Sequence, residues 1–224
     1  MILRRLALIG IAALTYVTVA AAEPAENWQT AFPRESAAQQ SIYFEARYLD
    51  ASGIEHRQEV WREGARRLRR VTDGRLDLKV EQDTDGEYQY RLGDRARHIM
   101  ILADRTSLYR IGIFSDWEGL AYGLSEPRRP YELATLGGAL ERSGIAPCAW
   151  TTMTMMTDSQ SASRICWSSE WGAPISIQTK RGDDWVTQFA ITEVRTFEPC
   201  DATFQIDGVG YVEIDARASD DLAD

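Results

Sequence analysis

The sequence predicts a mainly β protein, in which one strongly curved antiparallel sheet forms an unclosed half β-barrel with two or three helices as a lid. Three observations lead there. Short stretches of period-two alternation recur from Ser41 onward. Turn signals built on Gly, Asp and Ser separate them at roughly 8–12-residue intervals. Only the middle of the chain switches to the period of a helix.

The chain opens with a basic head that carries Arg4 and Arg5. An apolar or small-residue run follows from Leu6 to Ala22 and ends in Ala20-Ala21-Ala22. Such an order reads as a cleaved secretory signal over residues 1–22. The other reading is a membrane anchor, but the strongly apolar part falls short of the ~20 residues that span a bilayer. It also runs straight into Glu23-Pro24 with no basic flank. No cysteine follows the small-residue site, so a lipid anchor is not expected. The expectation is a periplasmic protein, soluble and not membrane-anchored once cut.

Residues 23–40 are polar and Ala-rich and should form an N-terminal segment with a short helix. A single β domain is expected over 41–216, and 217–224 form an acidic tail. In the first strand Ile42, Phe44, Ala46 and Tyr48 alternate with Glu45 and Arg47. Ala51-Ser52-Gly53 turns the chain, and strands follow at 55–63 and 65–72. Asp73-Gly74 then turns into 76–82, Asp83-Thr84-Asp85-Gly86 into 87–92, and Gly93-Asp94 into 97–103. A short strand is read at 106–111.

Ser115 and Glu118 form a capping box. Behind it Trp117, Leu120, Ala121 and Leu124 fall on one helical stripe that ends before Pro127. A second helix is read from Tyr131 to Arg142, with Leu133, Leu136 and Leu140 inward and Gly144 as its stop. Strand patterns resume at 148–156, 163–168, 173–180, 185–197 and 209–215, with a hairpin turn at Gly182-Asp183-Asp184.

Composition narrows the function. The chain has 25 basic and 34 acidic residues, and without Arg4 and Arg5 the balance is 23 against 34, a charge of −11. That surface repels nucleic acid, which binds through Lys and Arg on its phosphates. His56 and His98 are the two histidines, and no HExxH, paired CxxC, Gly-rich phosphate loop or GxSxG is present. No enzyme activity, metal or cofactor is therefore expected.

Cys148, Cys166 and Cys200 suit an exported chain in which a disulfide persists. If Thr157-Asp158 turns a hairpin, Cys148 and Cys166 come opposite each other. If the hairpin at Gly182-Asp183 runs long, Cys166 faces Cys200, although Gly172 and Pro174 would interrupt that ladder. The pair Cys148–Cys166, which closes the shorter loop, is preferred.

The apolar excess is the remaining signal. Phe44, Tyr48, Trp61, Met100, Trp150, Met153, Met155, Trp185 and Phe189 on strands, with Trp117, Leu120 and Leu124 on the helix, are candidates to line an apolar cavity. The basic run Arg62, Arg66, Arg67, Arg69, Arg70 and Arg75 reads first as a solvated strand face and second as a contact for anionic headgroups.

Four motifs carry a family resemblance: "IYFEARYLD" leading into a hairpin that ends "VWREG"; "ADRTSLYRIG"; "SSEWGAPISIQTKRGDDWVTQFAITEV"; and "FQIDGVGYVEIDA". Over about residues 41–215 the chain resembles the periplasmic lipoprotein-carrier superfamily, which includes LolA-like and LolB-like proteins and the N-terminal domain of RseB-type regulators. The resemblance implies an unclosed β-barrel with helices over an apolar cavity for acyl chains. It also implies a lipid or acylated ligand, with an envelope protein as a further partner. A regulator module on the same fold is the alternative function, and a hydrolase with an unrecognised site is the third.

Overall fold

Alternating strands join into one sheet. The computed structural model describes residues 23–24, 27–35, 39–110, 117–136, 141–142, 144–156 and 161–217. The expected signal segment, Ser115 of the capping box, the Thr157-Asp158 turn and the tail from 218 lie outside the described residues.

The strands are β1 (Glu23–Pro24), β2 (Ser41–Leu49), β3 (Glu55–Glu63), β4 (Arg67–Thr72), β5 (Leu76–Gln82), β6 (Tyr88–Asp94) and β7 (Ile99–Ala103), followed by β8 (Tyr131–Thr135), β9 (Glu141–Arg142), β10 (Pro147–Met155), β11 (Ala162–Ser168), β12 (Ala173–Arg181), β13 (Asp184–Thr196) and β14 (Val212–Asp215). Their order in the sheet is β1-β8-β10-β11-β12-β13-β2-β3-β4-β5-β6-β7-β14, with β9 attached to β10. Every pair is antiparallel except β14 with β7. The path ends at β1 and β14, so the curved sheet is unclosed.

Turn chemistry sets the hairpins. Asp50 Oδ1 accepts from the Ser52 and Ile54 amides, both at 2.9 Å, and Gly53 takes φ +84°. Asp73 and Gly74 are both left-handed, at φ +53° and +63°, as a turn matched to strand twist requires. Register shifts at Cys166/Trp167, Ile177/Gln178 and Ile191/Glu193 increase the local twist of β11–β13.

Among the described residues three short α-helices accompany the sheet: α1 (Trp28–Ala31), α2 (Arg105–Arg110) and α3 (Trp117–Tyr122). Two expectations are corrected. Residues 106–111 were expected as a strand, but Arg105–Arg110 is helical. Asp104 Oδ1 accepts from both the amide and the hydroxyl of Ser107 at 2.7 Å, a helix N-cap. The helix expected from Tyr131 to Arg142 is instead strand β8, followed later by β9. Pairing with β10 buries Leu133, while Leu136 stays exposed, so the leucine spacing had only imitated a helical stripe.

The disulfide Cys148–Cys166 forms, with Cα atoms 5.3 Å apart, and Cys200 is free and exposed. No described helix is long and apolar enough to cross a membrane.

Candidate functional site

Register places the side chains of each strand on two faces. On the inner face, cross-strand partners form rows. One runs Ile42, Arg62, Leu68, Val80, Tyr90 and Ala103, and every member is buried. The next runs Phe44, Val60, Arg70, Leu78, Leu92, Ile101 and Ile214, and it is buried only in part. Beyond it lie Ala46, Gln58, Thr72, Leu76, Asp94, Ile99 and Val212. Here the face opens, with Leu76 38%, Ile214 41% and Val212 64% exposed. The inner face thus passes from packed core to an open surface of mixed apolar and polar side chains within about two rows, on the order of 14 Å along the strands.

Helices cover the packed part. Trp28 of α1 lies against Tyr131, and Phe32 against Trp167. Trp117 of α3 stacks flat on Tyr88 of β6, at 4.6 Å and 7°. Trp117, Leu120 and Ala121 are buried and Leu124 is half-buried, as the helical spacing had suggested.

A buried cation fastens α3. Arg62, fully buried on β3, donates to the carbonyls of Ala121 (3.0 Å), Gly172 (3.1 Å) and Trp171 (2.7 Å). Its guanidinium lies 4.6 Å from the ring centre of Tyr122, with Arg34 at 4.7 Å from the same ring. Arg34 donates to the Leu124 carbonyl and pairs with Glu118 at 2.7 Å. Burial lowers the Arg62 pKa to about 10, with Tyr122 opposing and Arg34 adding to the shift. Three carbonyls hold this charge in place of a carboxylate.

The opposite end of β3 carries a second polar group. His56 Nδ1 lies 2.6 Å from Asp73 Oδ2 and its Nε2 3.4 Å from Asp50 Oδ2, and the ring stacks on Tyr48. The Asp73 hydrogen bond, then that of Asp50, raises the histidine. Hydrogen bonds from Ser52 and Ile54 hold Asp50 at about 2. Arg70 is half-buried nearby on the inner face, and burial lowers its pKa against the opposing pull of Tyr48.

Alternation splits the arginine run. Arg62 and Arg70 face inward, whereas Arg67 and Arg69 face outward. Arg67 pairs with Glu63 and Asp201 and lies over Phe204. Arg69 pairs with Asp77 at 2.6 Å and donates to the Thr203 carbonyl. Together they fasten residues 201–204 across the outer face.

The cavity candidates divide in the same way. Phe44, Tyr48, Met153, Met155 and Phe189 stand on the inner face, and Trp117, Leu120 and Leu124 cover it. Trp61, Met100, Trp150 and Trp185 stand on the outer face. Trp61 packs on Tyr43 at 5.1 Å, and Arg164 lies 4.1 Å over Trp185. Trp150 is opposite Cys166 in the ladder. Met100 lines an outer hollow of about 290 Å³ with Leu102, Phe204 and Tyr211. A further hollow of about 400 Å³ opens between α1 and β8, β10 and β11, walled by Ala31, Thr135, Ala149, Thr151 and Trp167. Sequence reasoning read Arg62 and Arg70 first as a solvated strand face, and it did not single out Tyr88 on the inner face or Trp28 over it.

The described residues define a class: an open, curved antiparallel sheet with short helices over its inner face. No family model matches the chain, and no curated protein matches it. Similar solved structures are the crystal structure of MucB (17% identity, TM-score 0.41, covering 77% of this chain and 59% of that one), the MucA/MucB complex of Pseudomonas aeruginosa (16%, 0.41, 77% and 57%) and MucB in complex with MucA(peri) (14%, 0.42, 77% and 56%). This chain spans less than two thirds of the length of those chains.

Proposed function

We propose that the chain is an exported, non-enzymatic binding protein of the periplasm whose inner sheet face holds a lipid-like, acyl-chain ligand. The observation that carries this reading is the unfinished row of the inner face. Leu92 and Ile101 are half-buried and Ile214 is exposed, beside a row whose members are all buried. Apolar side chains left open in a concave face lose hydrophobic stabilisation that an alkyl chain would restore, at roughly 25 cal/mol per Å² covered. The signal-like head of the sequence supports export, and the Cys148–Cys166 disulfide suits an oxidising compartment. Native mass spectrometry of gently purified protein tests it. A carrier retains lipid-sized adducts, and bare protein from a lipid-replete periplasm argues against it.

A second reading, a module that docks a protein partner, is favoured by β14. All four of its residues are exposed, and Val209 beside it is 90% exposed. Such an edge offers unpaired backbone groups to an incoming strand. Capture of an envelope protein by lipid-free chain would support that reading over the carrier.

A further inference from the structure

Among the described residues, the arginines that flank Arg70 on β3–β6 and the turns between them are mostly answered. Arg67, Arg69, Arg75 and Arg95 each meet a carboxylate within 3.1 Å, and Arg62 meets three carbonyls. Arg70 meets neither. Among the described residues it makes no ion pair and no hydrogen bond, although it stands half-buried between Val60 and Leu78 on the inner face. The carboxylates that act on the neighbouring Tyr48 are committed elsewhere. Asp73 accepts from the Arg57 amide at 2.9 Å and engages His56 at 2.6 Å, while Asp50 is held by Ser52, Ile54 and His56.

Burying a guanidinium beside aliphatic side chains without a counter-charge is unfavourable. Its neighbours are apolar side chains and one tyrosine. Leu92, Ile101 and Ile214 extend from Arg70 along one row, and Tyr48 lies beside the charge. Resting on the reading of the inner face as an apolar-ligand site, we infer that the ligand is an anionic amphiphile whose carboxylate or phosphate is bound by Arg70 while its alkyl chain lies along Leu92, Ile101 and Ile214.

The experiment is a fluorescence titration of the full-length exported protein with cis-parinaric acid and with its methyl ester, which share one chain and differ in charge. Wild type should bind the acid at least about tenfold more tightly than the ester, as a charge-assisted hydrogen bond provides. Arg70→Gln should bind both with the ester's affinity, and Arg70→Lys should keep part of the preference for the acid. Competition by oleate against lysophosphatidic acid then tells carboxylate from phosphate. Equal binding of acid and ester by wild type, which needs no variant to fold, overturns the proposal while leaving the apolar site standing. A preference that survives in folded Arg70→Gln also overturns it. Failure of wild type to bind either probe removes the apolar site and the headgroup together.

Discussion

Trp117 lies flat on Tyr88, ring centres 4.6 Å apart and planes 7° from parallel, so α3 rests on β6 by one aromatic pair. Tyr88 is itself held by its hydroxyl, which donates to the Ala65 carbonyl at 2.9 Å. Trp117→Ala should lower stability by roughly 3–5 kcal/mol, because the buried ring leaves a cavity. A double-mutant cycle with Tyr88→Ala should give a coupling of about 1 kcal/mol. Urea unfolding followed by circular dichroism measures both, and additive losses would show that the stack contributes nothing of its own.

Arg62 should matter far more than its neighbour Arg66. Arg62→Met keeps much of the volume but leaves the carbonyls of Ala121, Trp171 and Gly172 without their donor. The loss should be on the order of 3 kcal/mol. Arg66 is exposed and its ion pair among the described residues is with Glu63, so Arg66→Met should change stability by less than about 1 kcal/mol. Equal effects would contradict the fastening role of Arg62.

The His56 cluster makes stability depend on pH in a known direction. His56 is raised above its ordinary 6.5, so its protonated form stabilises the fold fully below that value. The contribution is lost as pH rises through the folded pKa. Asp50 and Asp73, both lowered from 3.8, stabilise above that value and lose their contribution as pH falls through their folded pKa values. Melting between about pH 5 and 9 should show Tm falling across the histidine range, and His56→Gln should flatten that fall. A parallel profile for the variant would locate the dependence elsewhere.

Thiol counting without reductant should find one reactive cysteine, Cys200. Cys148→Ser should cost about 3 kcal/mol for a bridge closing a sequence separation of 18. Three free thiols in folded protein would exclude the bridge.

Much of the sheet was legible because one face of each strand is core. Ile42, Phe44 and Ala46 are buried and alternate with Glu45 and Arg47, and the Asp73-Gly74 turn is where its chemistry placed it. Residues 131–135 were misread because the pairing of β8 with β10 is non-local, and Leu133, Leu136 and Leu140 happen to repeat at helical spacing. The strand expected at 106–111 gives way to helix over Arg105–Arg110 because Asp104 caps that helix through Ser107, a signal that alternation does not carry. The site was harder to read. Val60 fixes the inner parity of β3, which sends Trp61 outward and the charged Arg62 inward, against hydropathy. No single-strand pattern distinguishes Arg62, answered by carbonyls from α3 and a distant turn, from Arg70, which makes no ion pair or hydrogen bond among the described residues.

The central claim is that the open inner face is a ligand surface, and binding of a neutral apolar probe tests it most directly. Wild type titrated with 1-N-phenylnaphthylamine should show saturable fluorescence enhancement at micromolar concentration. Ile214→Asp places a charge on that surface at a position 41% exposed, so it should weaken probe binding about tenfold while leaving Tm nearly unchanged. Absence of saturable binding by wild type, or undiminished binding by Ile214→Asp, would contradict the claim.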